Sequence, residues 1–282
     1  MVITSFTGGL GNQLFQYAFG KQLAAANKQR LYLEIESYKT DYLNRKFLLD
    51  RYSINAQFVS ETVQKRILTK GTKVNSLLKR LDLIQTVEES GFIFQPQVAT
   101  ANKWINYYKG YWQSYKYFEE IRSLLLKEFS CKTEGLEKAK QEIFTGATTI
   151  SIHIRRKDYL HDDRYGFVGE SYYRDALQYL QQKDVQGSYL IFSDDIEWCK
   201  TFFSDLENVT YIGDRYGLED YEELQLMANC DHHIIANSSF SWWGAWLGKN
   251  PHQIVVRPER PFREPSLLYE HHYPTHWIAV AN

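Results

Sequence analysis

The chemistry of this chain is densest at His153-Ile154-Arg155-Arg156-Lys157-Asp158-Tyr159. Two adjacent guanidinium groups offer fixed forks of N–H donors, the geometry that fits phosphate oxygens. Ile150, Ile152 and Ile154 alternate with Ser151, His153 and Arg155, the two-residue period of a strand. The isoleucines are expected to face a core, His153 and Arg155 the opposite side, and Arg156 the other way. The arginines then sit where a strand runs out into a loop. In open α/β sheets, ligands bind beyond the carboxyl ends of strands. On residue types alone, a surface ion-pair cluster of Arg155, Arg156 and Asp158 is the competing reading. Asp158 and Asp163, on the same loop, are the carboxylates available as a general base, and Asp158 can equally orient an arginine.

Three other stretches carry polar groups at element ends. Ser193-Asp194-Asp195 follows the apolar run Tyr189-Leu190-Ile191-Phe192. Such an acidic pair can hold a metal, or Asp195 can cap a helix. Glu219, Asp220, Glu222 and Glu223 crowd the first turns of a helix predicted over 218–230, where carboxylates favour the helix dipole. Asn237-Ser238-Ser239-Phe240 opens another helix, predicted over 239–249. Its hydroxyls and free amides can cap that helix or cradle an anion.

The N-terminal stretch adds a glycine turn. A short strand over 2–6 leads into Gly8-Gly9-Leu10-Gly11-Asn12-Gln13, then a helix predicted to Lys28 and a strand over 31–35. This is the opening of a doubly wound fold. It departs from the dinucleotide fingerprint, because Leu14 stands where the third glycine belongs.

The elements that must position these groups repeat as strand and helix. From Thr148 onward, runs at 189–192, 209–212, 233–236 and 253–257 alternate with helices, which implies a parallel sheet covered on both sides. In the first half, 107–114 reads as a strand and 115–128 as a helix. A polar helical stretch over 132–145 places a domain boundary, giving domains 1–145 and 146–282, with the tail available to pack back on the first. The segment 60–83 is rich in Lys, Arg, Leu and Val and reads as helical. Its Lys65, Arg66, Lys70, Lys73, Lys79 and Arg80 form a solvated face or a contact for an anionic glycolipid or membrane surface.

Composition bounds the rest. A formal net charge of -1 gives no global basic field, which argues against nucleic acid as a partner. Cys131, Cys199 and Cys230 are far apart, and His271, His272 and His276 have no acid or Cys cluster beside them, so no metal site is expected. The absence of a signal-like start or a long apolar run points to a cytoplasmic protein, with peripheral contact at the inner membrane through 60–83.

The order His153-x-Arg155-Arg156-x-Asp158-Tyr159 resembles the α1,2-fucosyltransferases. Gly8-Gly9-Leu10-Gly11-Asn12-Gln13-Leu14-Phe15-Gln16-Tyr17, Gly110-Tyr111-Trp112-Gln113-Ser114 and Asn237-Ser238-Ser239-Phe240-Ser241-Trp242-Trp243-Gly244 match the same family in order. The resemblance implies two Rossmann-like α/β domains facing across a cleft, of the GT-B type. It implies inverting transfer of L-fucose from GDP-fucose to the 2-hydroxyl of a terminal β-galactoside, without a metal cofactor. Donor-binding groups implied are Gly9, Gly11, Asn12, Gln13, His153, Arg155, Arg156, Ser193, Asp194, Asp195, Asn237, Ser238, Ser239 and Phe240. Counting back from Asp231 puts the guanine-reading acid at Glu223. A transferase for another nucleotide sugar, a nicotinamide-dependent oxidoreductase and a glycan-binding module are the rival readings. The broken glycine fingerprint speaks against the oxidoreductase. A binding module leaves the paired arginines unexplained.

Overall fold

The structure, a computed structural model, describes residues 1–39, 45–267 and 269–282. The chain divides into two compact units. The first holds Met1–Ser130 and residues 269–274; the second holds Cys131–Leu267 and Thr275–Asn282.

In the first unit, β1 (Val2–Ser5), β2 (Leu31–Glu34), β3 (Gln57–Phe58), β4 (Ile84–Glu88) and β5 (Ile105–Lys109) form a sheet in the order β3-β2-β1-β5-β4. Every pairing in it is parallel. The helix Leu10–Ala26 follows β1 and starts three residues earlier than its periodicity suggests. Leu14, Phe15, Tyr17, Ala18 and Phe19 are all buried, so this helix is apolar over more than one stripe, as a helix inside a core must be. Phe19 stacks on Trp112 with ring centroids 4.2 Å apart. A Cβ at Gly20 would lie 2.7 Å from Thr4 Cγ2, so the close helix–strand approach that a third fingerprint glycine would supply is made at Gly20.

The segment 60–83 is not one helix. A helical turn over Glu61–Val63 widens into a π-helical turn over Gln64–Leu68, and a separate helix spans Lys73–Arg80, capped by Thr72 Oγ1 accepting from the Asn75 amide at 3.1 Å. The strand β4 then begins at Ile84. The alternation in Ile84-Gln85-Thr86-Val87-Glu88 was hidden by the basic residues before it. The expected strand over 107–114 ends at Lys109, and 115–128 becomes short 3-10 turns before the helix Arg122–Glu128.

In the second unit, β6 (Thr149–Ile154), β7 (Ser188–Ser193), β8 (Val209–Tyr211), β9 (His232–Ile234), β10 (Val255–Pro258) and β11 (Ile278–Val280) run in the order β11-β10-β9-β6-β7-β8. Here too every pairing is parallel. Counted from β6, this is the doubly wound order 3-2-1-4-5-6 read from its β8 edge, whose strand direction of progress reverses between β6 and β9. The central strand β6 is buried on both faces. Ile150, Ile152 and Ile154 pack with Tyr172, Tyr173 and Ile191, and each fully buried isoleucine contributes roughly 1.5–3 kcal/mol.

The helix Glu134–Ile143 belongs to the second unit, so the division falls after Ser130 rather than near 145. Its Leu136 and Ala139 are buried against Leu190, Phe192, Leu226 and Met227. Ile143 packs on the same cluster, and three apolar positions in a polar helix give little sign of which core they join. The His-rich tail contains a strand, β11, and its His272 joins the first unit, where Nδ1 lies 3.0 Å from the Gln113 carbonyl oxygen. No helix among the described residues is long and apolar enough to cross a membrane.

Candidate functional site

The carboxyl ends of β6, β7 and β9 bring together three of the stretches that stood out in the sequence, at His153–Asp158, Ser193–Asp195 and Asn237–Phe240. His153 is the fifth residue of β6 and 6% exposed. Its backbone carbonyl accepts a hydrogen bond from Tyr173 Oη at 3.0 Å, which fixes the strand end. Its ring lies 5.6 Å from that of Phe240, and Nδ1 is buried without a protein hydrogen-bond partner. Burial, reinforced by the Arg155 charge, holds this imidazole down at about 3, so it is neutral at physiological pH. A buried neutral imidazole with an unpartnered nitrogen is suited to hydrogen-bond a ligand.

The two arginines diverge as the strand period predicts. Arg155 Nη2 donates to Asp158 Oδ2 at 2.6 Å, and its Nε lies 3.5 Å from Asp194 Oδ2. The guanidinium sits 5.9 Å from the Tyr159 ring centroid and keeps a quarter of its side chain exposed. Arg156 turns to the other side. Its Nη1 donates to Asp195 Oδ2 at 2.6 Å, and its guanidinium lies over the rings of Trp198 at 5.0 Å and Phe167 at 5.9 Å. Both aromatics border the isoleucine core, so Arg156 is tied into packing.

The acidic pair serves the arginine loop. Asp194 accepts from the backbone amides of Arg156 at 2.9 Å and Lys157 at 3.2 Å. Asp195 occupies the N-cap position of the helix Ile196–Phe202, yet its side chain makes no cap bond and goes to Arg156 instead. Ser193 Oγ accepts from the Asp195 amide at 2.9 Å. Among the described residues, no group of three His, Cys, Asp or Glu is placed to hold a metal ion.

From the β9 side come Asn237, Ser238, Ser239 and Phe240. Ser238 caps the helix Ser239–Trp246, its Oγ accepting from the Phe240 amide at 3.3 Å. Asn237 is buried. Its Nδ2 lies within hydrogen-bond distance of the carbonyls of Tyr165 (3.1 Å), Gly166 (3.0 Å) and Pro261 (3.2 Å), and its Oδ1 has no partner. One amide thus pins the loop after the arginines to the switch point. That loop carries Asp163, which is exposed and makes no hydrogen bond among the described residues. Neither Tyr165–Gly166 nor Pro261 had any mark in the sequence as a partner of Asn237.

Glu223 lies in the first turn of the helix Asp220–Ala228 and is half-buried. Glu219 and Glu222 form a reciprocal capping box, with the Glu219 amide donating to Glu222 Oε2 at 2.8 Å. Glu222 is buried and also takes the Thr133 hydroxyl. The crowded carboxylates therefore separate by role, with Glu219 and Glu222 holding the helix end.

The first unit has its own reversal, between β1 and β5, and the glycine turn lies at the carboxyl end of β1. Gly8 has φ +84°, and a Cβ there would fall 2.5 Å from Asn12 Nδ2. Gly9 has ordinary φ and open space around its α-carbon. Gly11 is buried within the helix. Asn12 Oδ1 accepts from Gln113 Nε2 at 2.8 Å. The Gln13 side chain is committed to protein: Nε2 donates to the Lys46 carbonyl at 2.8 Å and Oε1 accepts from the Leu48 amide at 2.9 Å. Glu89 escaped notice in the sequence. Its carboxylate accepts from the Tyr111 and Trp112 amides at 2.6 and 3.0 Å, and burial raises it to about 7.

Two α/β units with all-parallel sheets, the second carrying an arginine pair and a helix start at its switch point, define a GT-B-like glycosyltransferase. A solved fucosyltransferase, NodZ from Bradyrhizobium, shares the fold, with a TM-score of 0.56 and 13% identity over 88% of this chain and 93% of that one. Residues 1–281 match glycosyl transferase family 11, and the chain belongs to that family. It is 31% identical to an alpha-1,2-colitosyltransferase of Escherichia coli, over 99% of both chains. It is 28% identical to the human galactoside alpha-(1,2)-fucosyltransferase 1, over 48% of this chain and 40% of that protein.

Proposed function

We propose that the protein transfers L-fucose from GDP-fucose to the 2-hydroxyl of a terminal β-galactoside, with inversion and without a metal. The observation that carries this reading is the Arg155 fork at the β6–β9 switch point, a quarter exposed, together with the helix start at Ser238–Ser239. The fork and the free amides stabilise the departing diphosphate as its charge develops. In the displacement, the acceptor oxygen bonds to the anomeric carbon while the bond from that carbon to the diphosphate breaks. The acceptor proton goes to a carboxylate on the loop after β6. Asp158, held against Arg155, is the first candidate for that carboxylate, and Asp163, on the turn that Asn237 anchors, is the second. His153 and Phe240 line the same switch point, and Glu223 reads guanine.

Transfer of colitose is the second reading, favoured by the relative that carries that name. Colitose is fucose without its 3-hydroxyl. A site built to hydrogen-bond that hydroxyl rejects the analogue strongly, whereas an apolar one discriminates weakly.

Calorimetric titration with GDP and ADP tests the nucleotide assignment. Wild type is expected to prefer GDP, and Glu223→Ala to lose about 1–3 kcal/mol of GDP affinity together with that preference. Glu219→Ala is the control and should leave both unchanged. Unaltered GDP binding by Glu223→Ala would assign that carboxylate to the helix end alone.

A further inference from the structure

The first unit carries an exposed apolar surface far from the glycine turn in the sheet. The helix Lys73–Arg80 buries Asn75 and Leu78 against the sheet and turns Val74, Leu77 and Leu81 outward, at 40%, 54% and 56% exposure. At about 100° per residue these three side chains fall within roughly 60° of one another, so they form one stripe. Two more exposed apolar residues lie just past the helix end, at the start of β4 and β5. Leu83 is 36% exposed, and Ile105 donates from its amide to the Leu83 carbonyl at 3.0 Å. That pairing sets Trp104, the residue before Ile105, beside Leu83; Trp104 is 61% exposed. Contiguous exposure of this kind marks an interaction face, whereas scattered apolar residues do not.

Charge identifies what the face meets. Lys73 and Arg80 lie on the flank of the stripe away from the buried residues. Lys73, Arg80, Lys79 and Arg66 make no ion pair among the described residues. The nearby acids are already matched, Glu61 with Lys65, Glu88 with Lys70 and Asp82 with Lys103. A second copy of the chain is disfavoured, because a two-fold contact brings these unmatched cations against themselves. An apolar stripe with Trp at one end and Lys and Arg along its side matches the boundary between acyl chains and anionic headgroups.

We propose that the face made by Val74, Leu77, Leu81 and Trp104, with Lys73 and Arg80, docks this protein on an anionic phospholipid bilayer. The docking uses none of the transfer machinery, so it stands or falls apart from the donor and acceptor assignments.

Flotation of the full chain tests it, with vesicles of phosphatidylcholine alone and with roughly a third phosphatidylglycerol. Binding to the anionic vesicles is expected, weakening as salt is added. Each cation near such a surface contributes about fivefold, so Lys73→Gln with Arg80→Gln is expected to lower partitioning about thirtyfold. Leu77→Ser and Trp104→Ser are expected to lower binding to the same vesicles, with unchanged melting temperatures because both side chains are exposed. Absence of binding, or equal binding to neutral vesicles, overturns the proposal. So does a wild-type dimer in sedimentation that Leu77→Ser dissociates, with no vesicle binding.

Discussion

Arg155 and Arg156 are neighbours in sequence and differ in physical situation. Both side chains are a quarter exposed; Arg155 holds Asp158 and Asp194, while Arg156 holds Asp195 and is wedged over Trp198 and Phe167. Arg155→Ala is therefore expected to abolish turnover and to lower the melting temperature less than Arg156→Ala, since it uncovers one aromatic ring rather than two. Arg155→Lys should rescue poorly, because an ammonium lacks the planar fork. Arg156→Ala is expected to destabilise by about 1–3 kcal/mol, since it leaves Asp195 without its cation and exposes two aromatic faces. Steady-state kinetics with thermal melts on the three variants check this, and near-normal turnover by Arg155→Ala would remove the assignment. The divergence of the arginines was legible from strand alternation in β6. Their partners were not, because Trp198 and Phe167 reach Arg156 through chain folding that no local period encodes.

At the scale of elements, glycines in one turn separate by conformation. Gly8→Ala is expected to cost about 1–2 kcal/mol, from the left-handed φ and the collision with Asn12. Gly9→Ala has room and an ordinary φ, so its melting temperature should be unchanged. If the bare backbone of Gly9 serves close approach of the donor, this variant should lose activity while remaining folded. Melting curves with paired assays decide; a destabilised Gly9→Ala would mean that the turn itself needs the residue. Most strands and helices of the second unit were legible because apolar runs alternate with amphipathic helices. The strands β4 and β11 were not, because each lies beside basic or His-rich sequence whose composition masks its period. The helix Glu134–Ile143 was legible as a helix, but its unit was decided by Leu136, Ala139 and Ile143 and by the bond from Thr133 to Glu222, none of which a local period marks.

For the whole molecule, buried histidines set an acid limit. Burial holds His153 and His233 down at about 3, far below the ordinary imidazole. Both must stay neutral in the fold, so the unfolded chain binds protons first. Their stabilising effect is fully present above about pH 6.5 and is lost as pH falls from there toward 3. Each imidazole is expected to cost up to about 2 kcal/mol between pH 7 and pH 5. Urea midpoints at the two pH values report it, and equal midpoints would contradict neutral buried rings. Fold class followed from the alternation of strands and helices, and family from four ordered motifs; sugar and acceptor depend on contacts that no motif spells out. Product analysis tests the central claim most directly. The protein is incubated with GDP-fucose and lactose in the presence of a chelator, and the product is read by NMR. The expected result is released GDP with fucose α-linked to the galactose 2-hydroxyl. No transfer from GDP-fucose, a β linkage, attachment at another hydroxyl, or activity that returns only with added manganese or magnesium would contradict it.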